Sequence, residues 1–272
     1  MNRPAFSTSG QAGLLAACAT VACLVLAACG NSPSGNSGSS GNSGAPASGS
    51  TPSSKTTTSG STNSGGSTSV VSSASVPFPI AVGNTWVYQS SIPLTGTTAT
   101  VTNKVVAVTP VSGGNEVKLS DTDSVLPGRT TSETYIFHSD GSITFPSSQL
   151  GTSATIIKGS TLWPPASVID SGQPDSYTME IALNNSSLHG TVTDDITVKG
   201  DGTATVTEPA GTYSTTVVQM TEKYKIDGYT ETIVVKTWLA NGVGPVQSEA
   251  VLTAAGHRDV VSDQKLKSFT RG

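Results

Sequence analysis

VVQMTEKYKIDGYTETIVVK, residues 217–236, sorts its own side chains. Asp227-Gly228 suits a two-residue type I′ turn, whose central positions both need positive φ. With that loop Ile226 faces Tyr229. One face then carries Val218, Met220, Tyr224, Ile226, Tyr229, Ile233 and Val235. The other carries Gln219, Thr221, Lys223, Lys225, Thr230, Thr232 and Lys236. A slip of one residue would move every apolar side chain to the wet face, so the pattern specifies the register. The hairpin therefore belongs to an antiparallel sheet with one buried and one solvated face.

Two residues break the sorting. Glu222 and Glu231 lie on the apolar face, and the register makes them diagonal neighbours. A desolvated carboxylate pair titrates abnormally and can do acid–base chemistry or hold a cation. The plainer reading puts both near the hairpin tip, beyond the edge of the core. On that reading, exchanging both for Gln leaves stability nearly unchanged between about pH 4 and 7.

Outward from this hairpin, residues 77–272 keep the same texture. Val, Thr, Ile, Tyr and Trp recur in short runs broken by Gly, Pro, Asn and Asp, the signature of an all-β domain. Gly113-Gly114 and Asp140-Gly141 mark further hairpins. Gly200-Asp201-Gly202 reads as a loop between two strands. Ala99, Val101, Val105 and Ala107 alternate with Thr98, Thr100, Thr102 and Lys104. Long strands joined in sequence predict a curved antiparallel meander that closes into a barrel or half-barrel.

The first 76 residues are of another kind. Arg3 precedes an apolar run, Leu14–Ala28, which reads as a secretory signal over 1–28. It is too short and too quickly followed by polar chain for a permanent span. Leu26-Ala27-Ala28-Cys29-Gly30 resembles the bacterial lipobox. That resemblance implies cleavage between Ala28 and Cys29 and acylation of Cys29, with palmitate-type chains anchoring the protein in a membrane. The alternative is a plain cleaved signal with Cys29 incidental. Leu15-Ala16-Ala17-Cys18 fits the short pattern too, but leaves a second apolar stretch after it. Gly30 is not aspartate, which under lipoprotein sorting rules favours the outer membrane if the cell has two. Residues 29–76 are rich in Ser, Gly, Thr and Asn and carry one charge, Lys55. Such a segment buries too little apolar surface to offset its ordering entropy and reads as a disordered tether with a span of about 40 Å.

Composition excludes several functions. Charged residues are 12% of the chain and the net charge is -4, with no basic block for a nucleic-acid partner. All three cysteines lie at or before Cys29, so the β-domain has no disulfide or thiolate metal site. His138, His189 and His257 lie in no ligand-spaced motif. No Gly-x-Ser-x-Gly elbow and no Gly-rich phosphate loop after a strand occurs. Asp121-Thr122-Asp123 begins like a calcium loop, but Val125 and Leu126 stand where a ligand and the turn glycine belong. Asp194-Asp195 points to opposite faces of a strand, which does not chelate. No catalytic residue, metal or cofactor is expected.

Four stretches resemble, in order, segments of the TapB-like bacterial envelope proteins: PIAVGNTWVY (79–88), EPAGTY (208–213), WLANGVGPV (238–246) and LKSF (266–269), the last preceded by Lys265. The resemblance implies a secreted, lipid-anchored domain on a curved antiparallel sheet, loosely similar to the LolA/LolB open barrel. It brings no catalytic residues. The expected function is non-enzymatic: a carrier of an apolar or lipid-like ligand, held to the membrane by its N-terminal lipid. The alternative is an interaction or adhesion module that meets an envelope protein with its outer face. A third reading, an envelope hydrolase, would use Glu222 and Glu231.

Overall fold

A computed structural model describes residues 78–93, 95–125, 127–146, 154–184, 189–226, 229–254 and 257–272. The signal segment, Ala28, Cys29, the tether and the Asp227-Gly228 turn lie outside the described residues. The chain runs β1 (Thr85–Ile92), β2 (Thr97–Val111), β3 (Gly114–Asp123), β4 (Thr130–His138), β5 (Ile143–Thr144), β6 (Ala154–Lys158) and β7 (Thr161–Trp163). After one helical turn and a half, α1 (Ala166–Ser171), come β8 (Asp175–Asn184), β9 (His189–Glu208), β10 (Gly211–Ile226), β11 (Tyr229–Ala240), β12 (Gly244–Ala254) and β13 (His257–Thr270).

These strands form one 13-stranded sheet in the order β6-β8-β9-β10-β11-β12-β13-β1-β2-β3-β4-β5-β7. Its pairings are antiparallel. It is a meander, as expected, with β6 transposed to the far edge. The transposition requires curvature. Only Gly159 and Ser160 separate the last residue of β6 from the first of β7, so the two edges approach within about 11 Å there. No ladder joins β6 to β7, and the sheet remains open at this seam. A contact across the seam stands in for the ladder: the Tyr177 hydroxyl on β8 donates to Leu162 O on β7 (3.2 Å).

The 217–236 register is observed as expected, with Ile226 opposite Tyr229 and Met220 opposite Val235. Val218, Met220, Tyr224, Ile233 and Val235 are buried, while Lys223, Lys225 and Thr230 are exposed. Inward chains from distant strands meet in one core: Val105 on β2, Val117 on β3, Val198 on β9, Val246 on β12 and Leu266 on β13 are each at most 1% exposed. These side chains belong to one packed core and are shut off from solvent, so the concavity is filled at these levels.

The loop expected at Gly200-Asp201-Gly202 does not form. β9 continues through it as a 20-residue strand. Asp201 and Gly202 together oppose Val217, with Thr203 facing Thr216 and Gly200 facing Val218. Two residues against one make a β-bulge, and Gly202 takes the positive φ (86°) it needs. Gly200 has a different task. A Cβ there would stand 2.1 Å from Ile169 O of α1, whereas one on Gly202 would meet nothing within 4 Å. Gly200→Ala is therefore expected to displace α1 and cost about 2–3 kcal/mol. Gly202→Ala carries only backbone strain, about 1 kcal/mol. Chemical denaturation of the two variants side by side checks this; equal losses would contradict the close approach of α1.

Candidate functional site

The curled sheet brings two sets of acidic side chains into its interior. On β10, inward alternation runs Met220, Glu222, Tyr224, and on β9 it runs Val192, Asp194, Ile196, Val198. Asp194 faces Tyr224 and Glu222 faces Ile196, so the two carboxyls are diagonal neighbours on adjacent strands. Each residue is 1% exposed. The Tyr224 hydroxyl donates to Glu222 Oε2 (2.6 Å). Among the described residues, Glu222 Oε1 and both Asp194 oxygens have no hydrogen-bond partner. Desolvation pushes Asp194 up to about 8, with the Glu222 charge and then Asp195 adding. Desolvation also raises Glu222 to about 7, against the Tyr224 hydrogen bond. Charging both would place two anions together without a cation, so the pair keeps a proton in neutral solution.

A second set lies on β3 and β4. Asp121 is buried, with neither oxygen partnered among the described residues, and desolvation, then the Glu133 charge, raises it to about 8. Glu133 is raised by desolvation too, and it accepts the Tyr135 hydroxyl. Register again makes the carboxyls diagonal, with Asp121 opposite Thr131 and Leu119 opposite Glu133.

Glu222 is thus not at a wet hairpin tip, as expected from sequence; it lies inside the core. The curled sheet brings β9 across one side of β10, and the inward chains around Glu222 exclude solvent. Glu231 is half-buried opposite Tyr224. The carboxyl that shares Glu222's desolvated surroundings is Asp194. Its signal was in the alternation of TVTDDITV: an aspartate occupies a position whose neighbours two residues away on the inward side are Val192 and Ile196. Asp195 points out, as the strand parity requires, and accepts from Lys225 and Thr178. Asp123 accepts from Val125 N (2.7 Å) in the turn after β3. His138 Nε2 meets the Thr144 hydroxyl (2.9 Å). The side chains of His189 and His257 lie outside the described residues. Among the described residues, no three His, Cys, Asp or Glu converge as metal ligands, and no helix is long and apolar enough to cross a membrane.

The four sequence motifs converge elsewhere, on one structural clasp. Trp86 Nε1 on β1 donates to Val243 O in the β11–β12 turn (2.6 Å). The Tyr88 hydroxyl donates to Pro245 O (3.0 Å). The Trp86 ring stacks on Phe269 of β13 with centroids 5.3 Å apart. Ala210 N, in the Pro209-Ala210 turn between β9 and β10, donates to Leu266 O (3.1 Å). Positive φ at Gly242 (70°) and Gly244 (92°) turns the Val243 carbonyl toward the indole. Trp86 is buried and Trp238 half-buried. These residues pack; they expose no ligand platform.

Among curated proteins none matches the sequence. Two crystal structures are similar to this chain. One, a candidate lipoprotein from Parabacteroides distasonis ATCC 8503, has 17% identity and a TM-score of 0.51, covering 72% of this chain and 99% of its own. The other, a candidate exported protein with a YmcC-like fold from Bacteroides fragilis NCTC 9343, has 17% identity and a TM-score of 0.48, covering 71% of this chain and 98% of its own. At this identity the first likeness concerns the fold: a curved, open, antiparallel sheet. A family model matches residues 96–253, from the start of β2 into β12, and by that match the chain belongs to the DUF3108-like family.

Proposed function

We propose that this chain is a bacterial envelope lipoprotein, held to a membrane through lipid on Cys29, whose β-domain works by non-enzymatic binding through its outer surface. The lipobox Leu26–Gly30 and the Ser/Gly tether that follows support the anchoring. Gly30 in place of aspartate favours the outer membrane of a two-membrane cell. The order of the four motifs supports a kinship with the TapB-like envelope proteins. The observation that carries the choice of surface over interior is the packing of the concavity: Val117, Val198, Val246 and Leu266 are 0% exposed. A carrier of a lipid-like ligand needs apolar side chains lining open space, and here those side chains touch one another instead. The same burial argues against hydrolysis by Glu222, which no substrate reaches in this conformation.

Two measurements test the proposal. Cys29→Ser is expected to move the protein from the detergent-extracted membrane fraction to the unprocessed or soluble pool, and to abolish incorporation of labelled palmitate. Unchanged labelling would overturn the anchor. Native mass spectrometry of the full-length protein in detergent is expected to show the polypeptide and its own acyl chains only. A further apolar molecule released only on unfolding would restore the carrier reading.

A further inference from the structure

We propose that Asp194 and Glu222 form a proton-controlled latch: with protons bound they hold β8 and the first half of β9 against β10, and their loss releases that flank at the open seam of the sheet. This does not rest on the lipid anchor or on the outer-surface reading.

The geometry confines the effect to one flank. Asp194 lies opposite Met179 of β8 on one side and Tyr224 of β10 on the other. Beyond β8 there is only the five-residue β6, and then the seam. The groups facing the pair are Tyr177 from β8, Tyr224 from β10 and, opposite Tyr224, Glu231 from β11. The nearest ammonium in the hydrogen-bond pattern, Lys225, pairs with Asp195 on the outer face. Among the described residues nothing cationic therefore compensates a charge on Asp194, and its oxygens accept no hydrogen bond from them. The centre of the sheet differs. Its buried inward polar groups are neutral: Thr237 on β11, Ser248 on β12, Gln264 on β13 and Ser90 on β1.

A carboxyl protonated in the closed flank and ionised in the open one multiplies the opening constant about tenfold for each pH unit between its two pKa values. Opening would uncover Met179 and Ile181 of β8 and Leu162 and Trp163 of β7, an apolar lining that the closed domain hides. The latch would thus make the filled interior reachable on the alkaline side and seal it on the acid side.

Hydrogen exchange of the full-length protein in detergent, at pH 5 and pH 8 and corrected for intrinsic exchange, tests this. Protection of peptides within 175–183 is expected to fall at least about a hundredfold relative to those within 245–253 and 262–268. In D194N/E222Q that differential is expected to shrink below about tenfold, while any response of β3 and β4, which hold Asp121 and Glu133, persists. A wild-type response equal in all strands, or absent, overturns the proposal, as does a differential that survives in the double variant. Should that variant not fold, the wild-type comparison with the single E222Q variant decides in the same way.

Discussion

Trp86→Ala is expected to lower the stability of the β-domain by about 3–5 kcal/mol, the range for emptying a buried indole site. The site is unusually exacting because three elements meet on one ring. Its face stacks on Phe269, its Nε1 donates to Val243 O, and its strand pairs with both β13 and β2. Deleting the ring leaves a cavity between β1 and β13 and removes the donor to the β11–β12 turn. Trp86→Phe separates these contributions. It keeps an aromatic face for Phe269 and loses only the hydrogen bond and part of the volume, so a loss of about 1–2 kcal/mol is expected. Urea unfolding followed by far-ultraviolet circular dichroism measures both. A loss under about 1 kcal/mol for the alanine variant would mean that Trp86 is rim packing and that the clasp is held by the ladders alone.

Asp194→Asn is expected to stabilise the protein at pH 8 by up to about 5 kcal/mol and to change it little near pH 4. The sign follows from the direction of the shift. Desolvation raises the folded-state pKa of Asp194 to about 8, while the unfolded chain ionises near about 4. Below the lower value both states hold the proton, and the group contributes nothing to pH dependence. Between the two the folded state binds more protons, so stability falls as pH rises, and above the upper value the loss is complete. Glu222 and Asp121 act in the same sense, because burial raises both. Three exposed carboxylates oppose them weakly in acid. Ser142 lowers Asp140, Lys225 lowers Asp195, and Lys236 lowers Asp201. Their stabilisation is lost as pH falls through those depressed values, and solvent screening keeps it small. The wild-type protein should therefore be most stable near about pH 4–5 and weaken toward pH 8. Urea midpoints across that range, with and without D194N, test it. A wild-type midpoint that rises between pH 5 and 8 would show the buried pair ionised in the folded state. This expectation reverses the pH-independence read from sequence for Glu222, and the reversal comes entirely from its burial.

The β-class, the meander and the 217–236 register were legible in the chain because strand parity is a local property. A period of two and an Asp-Gly turn need no knowledge of distant residues. Local reasoning failed at Gly200-Asp201-Gly202, where three turn-forming residues sit inside one strand. The ladder to β10 absorbs the extra residue as a bulge, and the two glycines serve positive φ and the approach of α1. The resemblance of Leu26–Gly30 to a lipobox is likewise a local pattern, complete in five residues. The acidic cluster is not. Parity could say that Asp194 and Glu222 each point inward, but sequence alone did not say that their strands lie side by side, or how deep the interior runs at that level. They do because β9 runs unbroken through the bulge at Asp201 and Gly202, which carries Asp194 along the full length of its hairpin partner β10. The curvature of the sheet decides whether an inward carboxyl reaches water at a rim or sits at 1% exposure in the core. Burial is a property of the whole curled sheet, and with it the protonation of these groups, so only the tertiary structure could decide it.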